Sequence, residues 1–295
     1  MRINHIATIA FVMSLAACAQ GSGSPESPRS TANTTAYTLE DNFPATRPAD
    51  AEVGSLYQFV KAYRDSYASG SFDGLFADDF AAYEFRSITR DRSAFLAERR
   101  RMKGVTVRSS VRAIEVDGDR AIIRLIQQYQ SEIFAPILAE EIYLVRRADR
   151  WIADKMLSAP VTVNEDGQKI VPKAHIFLIS GSEAINFTED LDIRELEKML
   201  IDRDRSSIPG TEYAHDLIVV FTTPPKPGAR IRIQHQFWRP WAKSLSPYQF
   251  NYVARPGQIY YLIKNGSQAG GAGGHITYTV EIDGIRSGKK RVSIR

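Results

Sequence analysis

The chain has 295 residues and a formal net charge of +4, with 43% hydrophobic and 24% charged residues. This is the composition of a folded globular protein. The mild positive excess suits a surface beside anionic lipid or cell-wall carboxylates, but it falls far short of the concentrated basic stripe that nucleic-acid binding needs. We therefore expect no nucleic-acid partner.

The first 17 residues have the order of a secretory signal peptide, with Arg2 followed by an apolar segment over residues 6–15 and then small residues. The apolar segment is about ten residues long, which is too short for a helix to cross a ~30 Å hydrocarbon core. We interpret residues 1–17 as an export signal and not as a membrane span.

Cys18 is the only cysteine of the chain, and it completes the tetrad L-A-A-C over residues 15–18. This tetrad resembles the lipobox of bacterial lipoproteins. The resemblance implies that the Cys18 sulfur carries a diacylglycerol and that Cys18 begins the mature chain, so that acyl chains hold the protein on a membrane. Because Ala19 follows, the resemblance implies a lipid-anchored protein of the bacterial cell envelope at the outer membrane, facing the periplasm. The alternative is an ordinary secretory signal in which Cys18 is incidental.

Residues 18–50 are rich in Ser, Gly, Pro and Thr, which predicts a flexible tether. Apolar residues at three- and four-residue spacing then predict an amphipathic helix over residues 51–68. Gly70 should end it, and a short second helix should follow, ending near Asp78 and Asp79. A third helix is predicted over residues 91–103, with residues 99–101, all arginines, in the last turn, where the helix dipole favours cations.

Beyond Gly104 the apolar period changes to two, which predicts antiparallel strands. One hairpin should turn at residues 117–119 and a second around residues 148–150. Helices followed by an antiparallel meander indicate an α+β fold.

The segments YASGSFDGLFADDF, AFLAERR, VDGDRAIIRLIQQYQS and EIYLVRRADRWIADK resemble the nuclear transport factor 2-like (NTF2-like) superfamily. The likeness is greatest to the version appended to bacterial L,D-transpeptidases, and it covers residues 52–158. It implies an α+β cone in which three helices pack on a bent sheet around a pocket. We assign residues 51–159 to this NTF2-like domain.

The strand before residue 131 alternates so that Gln127, Tyr129 and Ser131 share the face of the predicted pocket. Neighbouring segments could add Tyr83, Glu84, Arg86, Glu141, Tyr143 and Lys155. Enzymes of the superfamily, such as ketosteroid isomerase, use a buried carboxylate in the cone, where burial raises its pKa. Because no histidine lies between residues 52 and 158, the acid–base couple of the scytalone dehydratase type is missing, and we assign no catalytic residue.

Residues 160–174 are interpreted as a linker, and the remainder, residues 175–295, as a mostly-β, sandwich-like domain that resembles no family we recognise. It contains six predicted strands and one helix over residues 192–203. Its four isolated histidines, which we expect at the surface, lack the spacing of a zinc site, so we assign no metal and no cofactor.

The aromatic and basic segment QFWRPWAKSLSPYQF is the best candidate for partner docking, through Trp238, Arg239 and Trp241. The alternative is a long loop held by buried tryptophans. The leading hypothesis is a non-enzymatic outer-membrane lipoprotein that binds or positions an envelope protein or glycan such as peptidoglycan. The alternatives are a small-molecule isomerase or hydratase, or a ligand carrier, using the pocket of the cone.

Overall fold

The computed structural model describes residues 39, 43, 50–85, 87–163, 167, 169–180, 193–209, 215–238, 248–267 and 273–295, without the side chains of 265–267. The predicted signal peptide, Cys18 and nearly all of the predicted tether lie outside the described residues. Residues 34–295 form one compact unit. Within the described residues, no helix has both the length and the apolar character needed to cross a membrane.

The first helix, α1, spans Ala51–Ser69 and confirms the prediction for residues 51–68. It begins where Oδ1 of Asp50 accepts hydrogen bonds from the backbone N–H groups of Glu52 and Val53, at 2.8 and 2.9 Å. It ends at Gly70, whose φ of 75° is the left-handed conformation that glycine adopts without steric cost.

The predicted second helix is wrong, because the segment forms a strand, β1 (Phe76–Glu84). β1 pairs antiparallel with β2 (Ile88–Asp91) and parallel with β6 (Arg150–Pro160). Burial alternates over residues 80–84, so the strand buries one face while pairing on both edges. Tertiary pairing therefore overrides the local helical pattern. Asp78 and Asp79 lie in this strand with exposed side chains, and two helices, not three, accompany the sheet over residues 50–160.

The second helix, α2, spans Arg92–Arg101 and is capped by Asp91, whose Oδ1 accepts from the Ala94 N–H at 2.8 Å. It is followed by β3 (Thr106–Asp117), β4 (Arg120–Gln130) and β5 (Ile137–Arg147). The six strands form one sheet in the order β2-β1-β6-β5-β4-β3. Both predicted hairpins are confirmed by the adjacent pairs of β3 with β4 and of β5 with β6.

The C-terminal part is mostly β, as predicted. Its elements are β7 (Ala174–Ser180), α3 (Ile193–Arg203), β8 (Ser207–Ile208), β9 (His215–Phe221), β10 (Arg230–Trp238), β11 (Tyr248–Val253), β12 (Tyr260–Ser267), β13 (His275–Ile282) and β14 (Ile285–Ile294). They form a five-stranded sheet, β11-β10-β13-β14-β8, and a three-stranded sheet, β12-β9-β7. Residues of both sheets share one apolar core. The short β8 and the edge strand β11 were not predicted.

The two C-terminal sheets approach each other closely at Gly288 of β14. A Cβ atom placed there would lie 2.4 Å from the carbonyl oxygen of Ala174 in β7. Between β6 and β7, in the predicted linker, Val163 pairs with Lys169 in an isolated bridge.

Candidate functional site

Helices α1 and α2 and the six-stranded sheet enclose one core, which is the interior of the predicted cone, and the register of the sheet directs polar side chains into it. Glu84 of β1 and Glu140 of β5 both pair with Ser158 of β6, which lies between them. All three are buried. Together with buried residues of α1, α2 and β4 they form a set that we call the interior polar cluster: Tyr63, Tyr67, Glu84, Arg99, Gln127, Tyr129, Glu140 and Ser158.

One half of the interior polar cluster is an ion-pair network around Glu84. Its Oε1 accepts a hydrogen bond from Nη2 of Arg99 at 2.8 Å, and its Oε2 accepts from Nε of Arg90 at 2.7 Å. Nε of Arg90 also lies 2.8 Å from Oε2 of Glu98. Two cations and two anions thus balance, which offsets the cost of removing these charges from water.

The other half is a set of hydroxyl groups that ends at Glu140. The Tyr129 hydroxyl lies 2.7 Å from Oε1 of Glu140 and 3.3 Å from the hydroxyl of Tyr67, which lies 3.0 Å from that of Tyr63. Burial raises the pKa of Glu140 to about 6, although Arg99 and the Tyr129 hydroxyl act in the opposite direction. Burial also raises the pKa of Tyr67, to about 12.

A carboxyl group with a pKa near 6 beside phenols could exchange protons, but the interior is filled. Tyr129 has a relative exposure of 0%, and its ring lies 5.1 Å from that of Tyr67 in an edge-on contact. The rings of Phe72, Phe76 and Phe95 pack in the same core. The interior polar cluster is thus a closed network of buried polar side chains and not an open chamber around a carboxylate.

Three of the predicted pocket residues, Gln127, Tyr129 and Ser131, do alternate on the inner side of β4 and its end. Gln127 donates to Oγ of Ser109 at 3.2 Å, and its Oε1 also lies within hydrogen-bond distance of the Tyr129 hydroxyl. Ser131, half-buried, donates instead to the carboxylate of Glu197 in α3. Oε1 of Glu197 also accepts from the backbone N–H of Ile133, at 2.8 Å.

The other three, Tyr83, Glu141 and Tyr143, do not face the interior, which corrects their predicted placement. Tyr83 is 41% exposed. Glu141 accepts from Nε of Arg124 at 2.7 Å and from the Tyr143 hydroxyl. Nζ of Lys155 lies 5.2 Å from the ring centroids of both Tyr83 and Tyr143. These side chains cover the outer face because they alternate with the inward Glu84 and Glu140. The candidate Arg86 lies outside the described residues.

Sequence reasoning missed Glu140 and the inward turn of Arg99. Glu140 lies two residues from Leu138 and Ile142, but Glu141 lies two residues from Ala139 and Tyr143, so the strand pattern gave no decisive signal. For Arg99 the available signal was the four-residue spacing from Phe95, over whose ring the Arg99 Cζ lies at 4.6 Å. The prediction had related the three arginines of the last turn only to the helix dipole and had given none of them a buried position.

Outside the closed interior lies a cavity of about 270 Å³, which we call the mouth cavity. One wall consists of α2 and the inner sheet surface, including Arg99, Met102 and Tyr129. The opposite wall is C-terminal, from Thr222 and residues 256–259. Most of the remaining lining is apolar, namely Phe85, Ile88, Val105, Phe134, Pro136, Leu138, Ile193 and Pro224.

The predicted docking segment is described in part. Trp238, at the end of β10, is 53% exposed and stacks on His275 of β13, with ring centroids 5.0 Å apart and an interplanar angle of 22°. Nη2 of Arg291 lies 3.0 Å from Nδ1 of that histidine. Arg239 and Trp241 lie outside the described residues.

The histidines are not all at the surface, contrary to expectation. His215 and His235 are buried, because both lie on strand faces that point into the core. Burial lowers the pKa of His175, and Lys173 contributes in the same direction. Within the described residues, no three His, Cys, Asp or Glu side chains group so as to hold a metal ion.

Several solved structures with a similar fold each cover more than a third of this chain. An NTF2-like protein of unknown function from Silicibacter pomeroyi is 12% identical, with 37% of this chain and 96% of that chain covered and a TM-score of 0.32. An NTF2-like protein of unknown function from Shewanella baltica is 8% identical, with coverages of 39% and 98% and a TM-score of 0.32. One from Rhodospirillum rubrum, described as of unknown function in nutrient uptake, is 16% identical, with coverages of 36% and 98% and a TM-score of 0.31.

These neighbours are NTF2-like proteins, and at such identities and TM-scores the likeness implies nothing about the activity of this chain. No family model matches the chain, and no curated protein matches it in sequence.

Proposed function

We propose that the protein is a non-enzymatic lipoprotein of the bacterial envelope that binds peptidoglycan at the exposed face of its five-stranded sheet. Lipidated Cys18 would anchor it to the outer membrane on the periplasmic side, with residues 18–50 as the tether. The sequence resemblance to the module appended to L,D-transpeptidases supports an envelope role. An envelope protein is the alternative partner for the same face.

The observation that carries this proposal is the half-exposed Trp238 stacked on His275. Burying an indole stabilises a fold, so one left at the surface on a supporting ring favours a binding role. A flat aromatic surface of this kind suits the apolar face of a sugar ring.

The neighbouring positions on the same face add hydrogen-bonding groups. Gln234 and Gln236 alternate with buried residues along β10, and opposite them on β13 lie Thr279 and Thr277. The edge strand β11 adds Gln249, whose Oε1 accepts from Nε2 of Gln234 at 3.1 Å. Amides and hydroxyls both donate and accept, as the hydroxyl and acetamido groups of a glycan require.

The enzyme alternative has less support. A substrate would need to reach a free carboxylate, yet Glu84 and Glu140 are both buried and do not line the mouth cavity. Glu98 does line it, but its Oε2 is paired with Nε of Arg90 at 2.8 Å. Glu84 is also held in its ion pairs with Arg90 and Arg99. A non-catalytic role accounts for these contacts without a reaction.

The test of the binding face is retention by isolated peptidoglycan sacculi. We expect Trp238→Ala to weaken retention at least tenfold. Tyr83→Ala, which removes an exposed aromatic ring from the other sheet, should leave retention unchanged. Failure of the wild type to be retained, or equal retention of both variants, would contradict the proposal.

The test of the anchor is the mass of the mature protein from membranes. We expect the mature chain to begin at Cys18 with the mass of a diacylglycerol and an added acyl chain, and Cys18→Ser to release the protein from the membrane fraction. A free thiol at Cys18, or a mature chain that begins elsewhere, would refute the anchor without touching the glycan test.

A further inference from the structure

The exposed face of the five-stranded sheet carries two cations near the stack of Trp238 on His275. Arg291 and Lys289 of β14 are both exposed, and they lie directly opposite the two threonines of β13 described above. Because residues directly opposite each other on paired strands share a face of the sheet, both cations lie on the same side as Trp238.

Arg291 connects this positive charge to the aromatic stack, since its Nη2 lies 3.0 Å from Nδ1 of His275. Burial and the charge of Arg291 lower the pKa of His275, so its imidazole is neutral near pH 7. Because a guanidinium can only donate, Nδ1 of the histidine is the acceptor. The contact occupies one of the five N–H groups of Arg291 and holds its guanidinium beside the ring that supports Trp238.

Neither cation is neutralised within the part of the chain that the structure describes. Lys290, which lies between them on the opposite face of β14, is paired with Asp204. In contrast, no carboxylate of the described residues forms an ion pair with Arg291 or Lys289. The charge on this face is therefore available to an anionic group of a ligand, and the planar guanidinium matches the geometry of a carboxylate.

An aromatic ring, neutral polar groups and a cation together fit a sugar that carries a carboxylate. In peptidoglycan, the muramic sugar has a lactyl group on its ring, and the carboxyl of this group is bonded as an amide to the peptide unless the peptide has been removed. Only the peptide-free form has a negative charge directly beside the sugar ring, because the carboxylates of an attached peptide lie at least one amino acid farther out. The guanidinium of Arg291 lies directly beside the aromatic stack, which favours the peptide-free form.

We propose that this face binds peptide-free glycan, with a sugar ring on Trp238 and the free lactyl carboxylate of muramic acid bound by Arg291, while Lys289 adds to the positive potential. This proposal rests on the proposed glycan-binding function. The ligand is the product of an amidase reaction, in which water cleaves the lactyl amide bond and leaves the carboxylate on the glycan and the amine on the peptide.

The test compares a disaccharide of N-acetylglucosamine and N-acetylmuramic acid with its methylamide, which has nearly the same shape but no charge on the lactyl group. The full chain, expressed with its own N-terminal segment and labelled with ¹⁵N at its tryptophan indoles, is placed in nanodiscs of zwitterionic lipid. The Trp238 indole signal, assigned by its loss in Trp238→Phe, measures binding. Trp151, which is buried and donates to Oγ of Ser55 at 2.9 Å, is the internal control.

At about 50 mM salt we expect the acid to shift the Trp238 signal saturably and to bind about fivefold more tightly than the methylamide, an advantage that about 0.5 M salt should remove. Arg291→Gln can still donate to His275 but lacks the charge, so it should bind both disaccharides equally. Arg230→Gln is the matched control, because it removes a charge from the same face roughly 26 Å along β10 from Trp238. It should keep the preference for the acid.

Equal binding of the acid and the methylamide to the wild type would overturn the proposal but leave glycan binding in place. If neither disaccharide moved the Trp238 signal, glycan binding at this face would be overturned as well. The same disaccharide with L-alanyl-D-isoglutamine on its lactyl group, whose carboxylate lies on the peptide, should bind no better than the methylamide. Binding as tight as that of the acid would assign the recognised carboxylate to the peptide and overturn the proposal.

Discussion

Glu84 and Glu140 face the interior of the cone from either side of Ser158, but their surroundings differ. The carboxylate of Glu84 accepts hydrogen bonds from two arginines, whereas that of Glu140 accepts one from the Tyr129 hydroxyl. The charges of Arg90 and Arg99 compensate for the burial of Glu84. At Glu140, burial raises the pKa of the carboxyl group.

Glu140 should make the protein less stable as the pH rises. Its pKa is about 6 in the folded protein against an ordinary 4.5, so the folded state holds this proton more tightly than the unfolded state does. The contribution to stability is complete below pH 4.5 and is lost as the pH rises through 6, a change of about 2 kcal/mol.

Glu140→Gln should remove this decline, because the amide oxygen can still accept from Tyr129 and never ionises. Urea unfolding at pH 4.5 and 7.5 measures the effect. Glu141→Gln, on the outer face, is the matched control and should retain the decline. An equal decline in Glu140→Gln and wild type would show that another group causes it.

The ion pair of Arg99 with Glu84 should be costly to break. Arg99→Met leaves a buried carboxylate with one arginine fewer, and we expect a loss of about 3–5 kcal/mol in the free energy of unfolding. Lys61→Met breaks the pair with Asp65, whose side chains are about half exposed, and should cost less than about 1 kcal/mol. Similar losses for both variants, measured by urea unfolding, would contradict the structure.

Glu197 should hold the connection between β4 and β5. Its carboxylate accepts from the Ser131 hydroxyl and from the backbone N–H groups of Ile133 and Phe134. Glu197→Ala leaves these donors without their acceptor, at a cost of about 2–3 kcal/mol. Hydrogen exchange at the amides of residues 133 and 134 should accelerate. In Glu195→Ala, which changes an exposed glutamate two residues earlier in α3, both amides should exchange as in the wild type.

Gly288 should tolerate no side chain. Alanine at this position would place Cβ 2.4 Å from the carbonyl oxygen of Ala174, so the two sheets must separate locally. We expect Gly288→Ala to cost about 1–3 kcal/mol. The exposed neighbour Lys289→Ala should change stability by less than about 0.5 kcal/mol. Thermal unfolding measures both effects. Equal melting temperatures for Gly288→Ala and Lys289→Ala would contradict this prediction.

The parts of the fold that could be predicted are those that local sequence determines. The hairpin turns carry their own signals, such as Gly118, whose φ is 59°. α1 has both a capping aspartate and a regular apolar spacing. The start of β1 was predicted as the end of a helix, because the local sequence does not encode the parallel pairing of β1 with β6.

The candidate site was harder to predict, because the face that a strand buries depends on its partners. In β5 both sets of alternating positions contain apolar residues, Leu138 and Ile142 on one side and Tyr143 and Val145 on the other. The alternation alone therefore does not choose between Glu140 and Glu141. The choice depends on Tyr129, which supplies a hydrogen bond on the inner side.

The contact of Glu197 with the β4–β5 connection has a consequence for synthesis. Ser131 leaves the ribosome 66 residues ahead of the glutamate that its hydroxyl meets. Domains generally fold from the N-terminus as the chain emerges, so the six-stranded sheet can assemble while this loop still relies on water for its donors. The loop between β4 and β5 can therefore complete its hydrogen bonds only after α3 has been synthesised. In a nascent chain halted before residue 197, the six-stranded sheet should be largely formed, while this loop should be accessible to proteases.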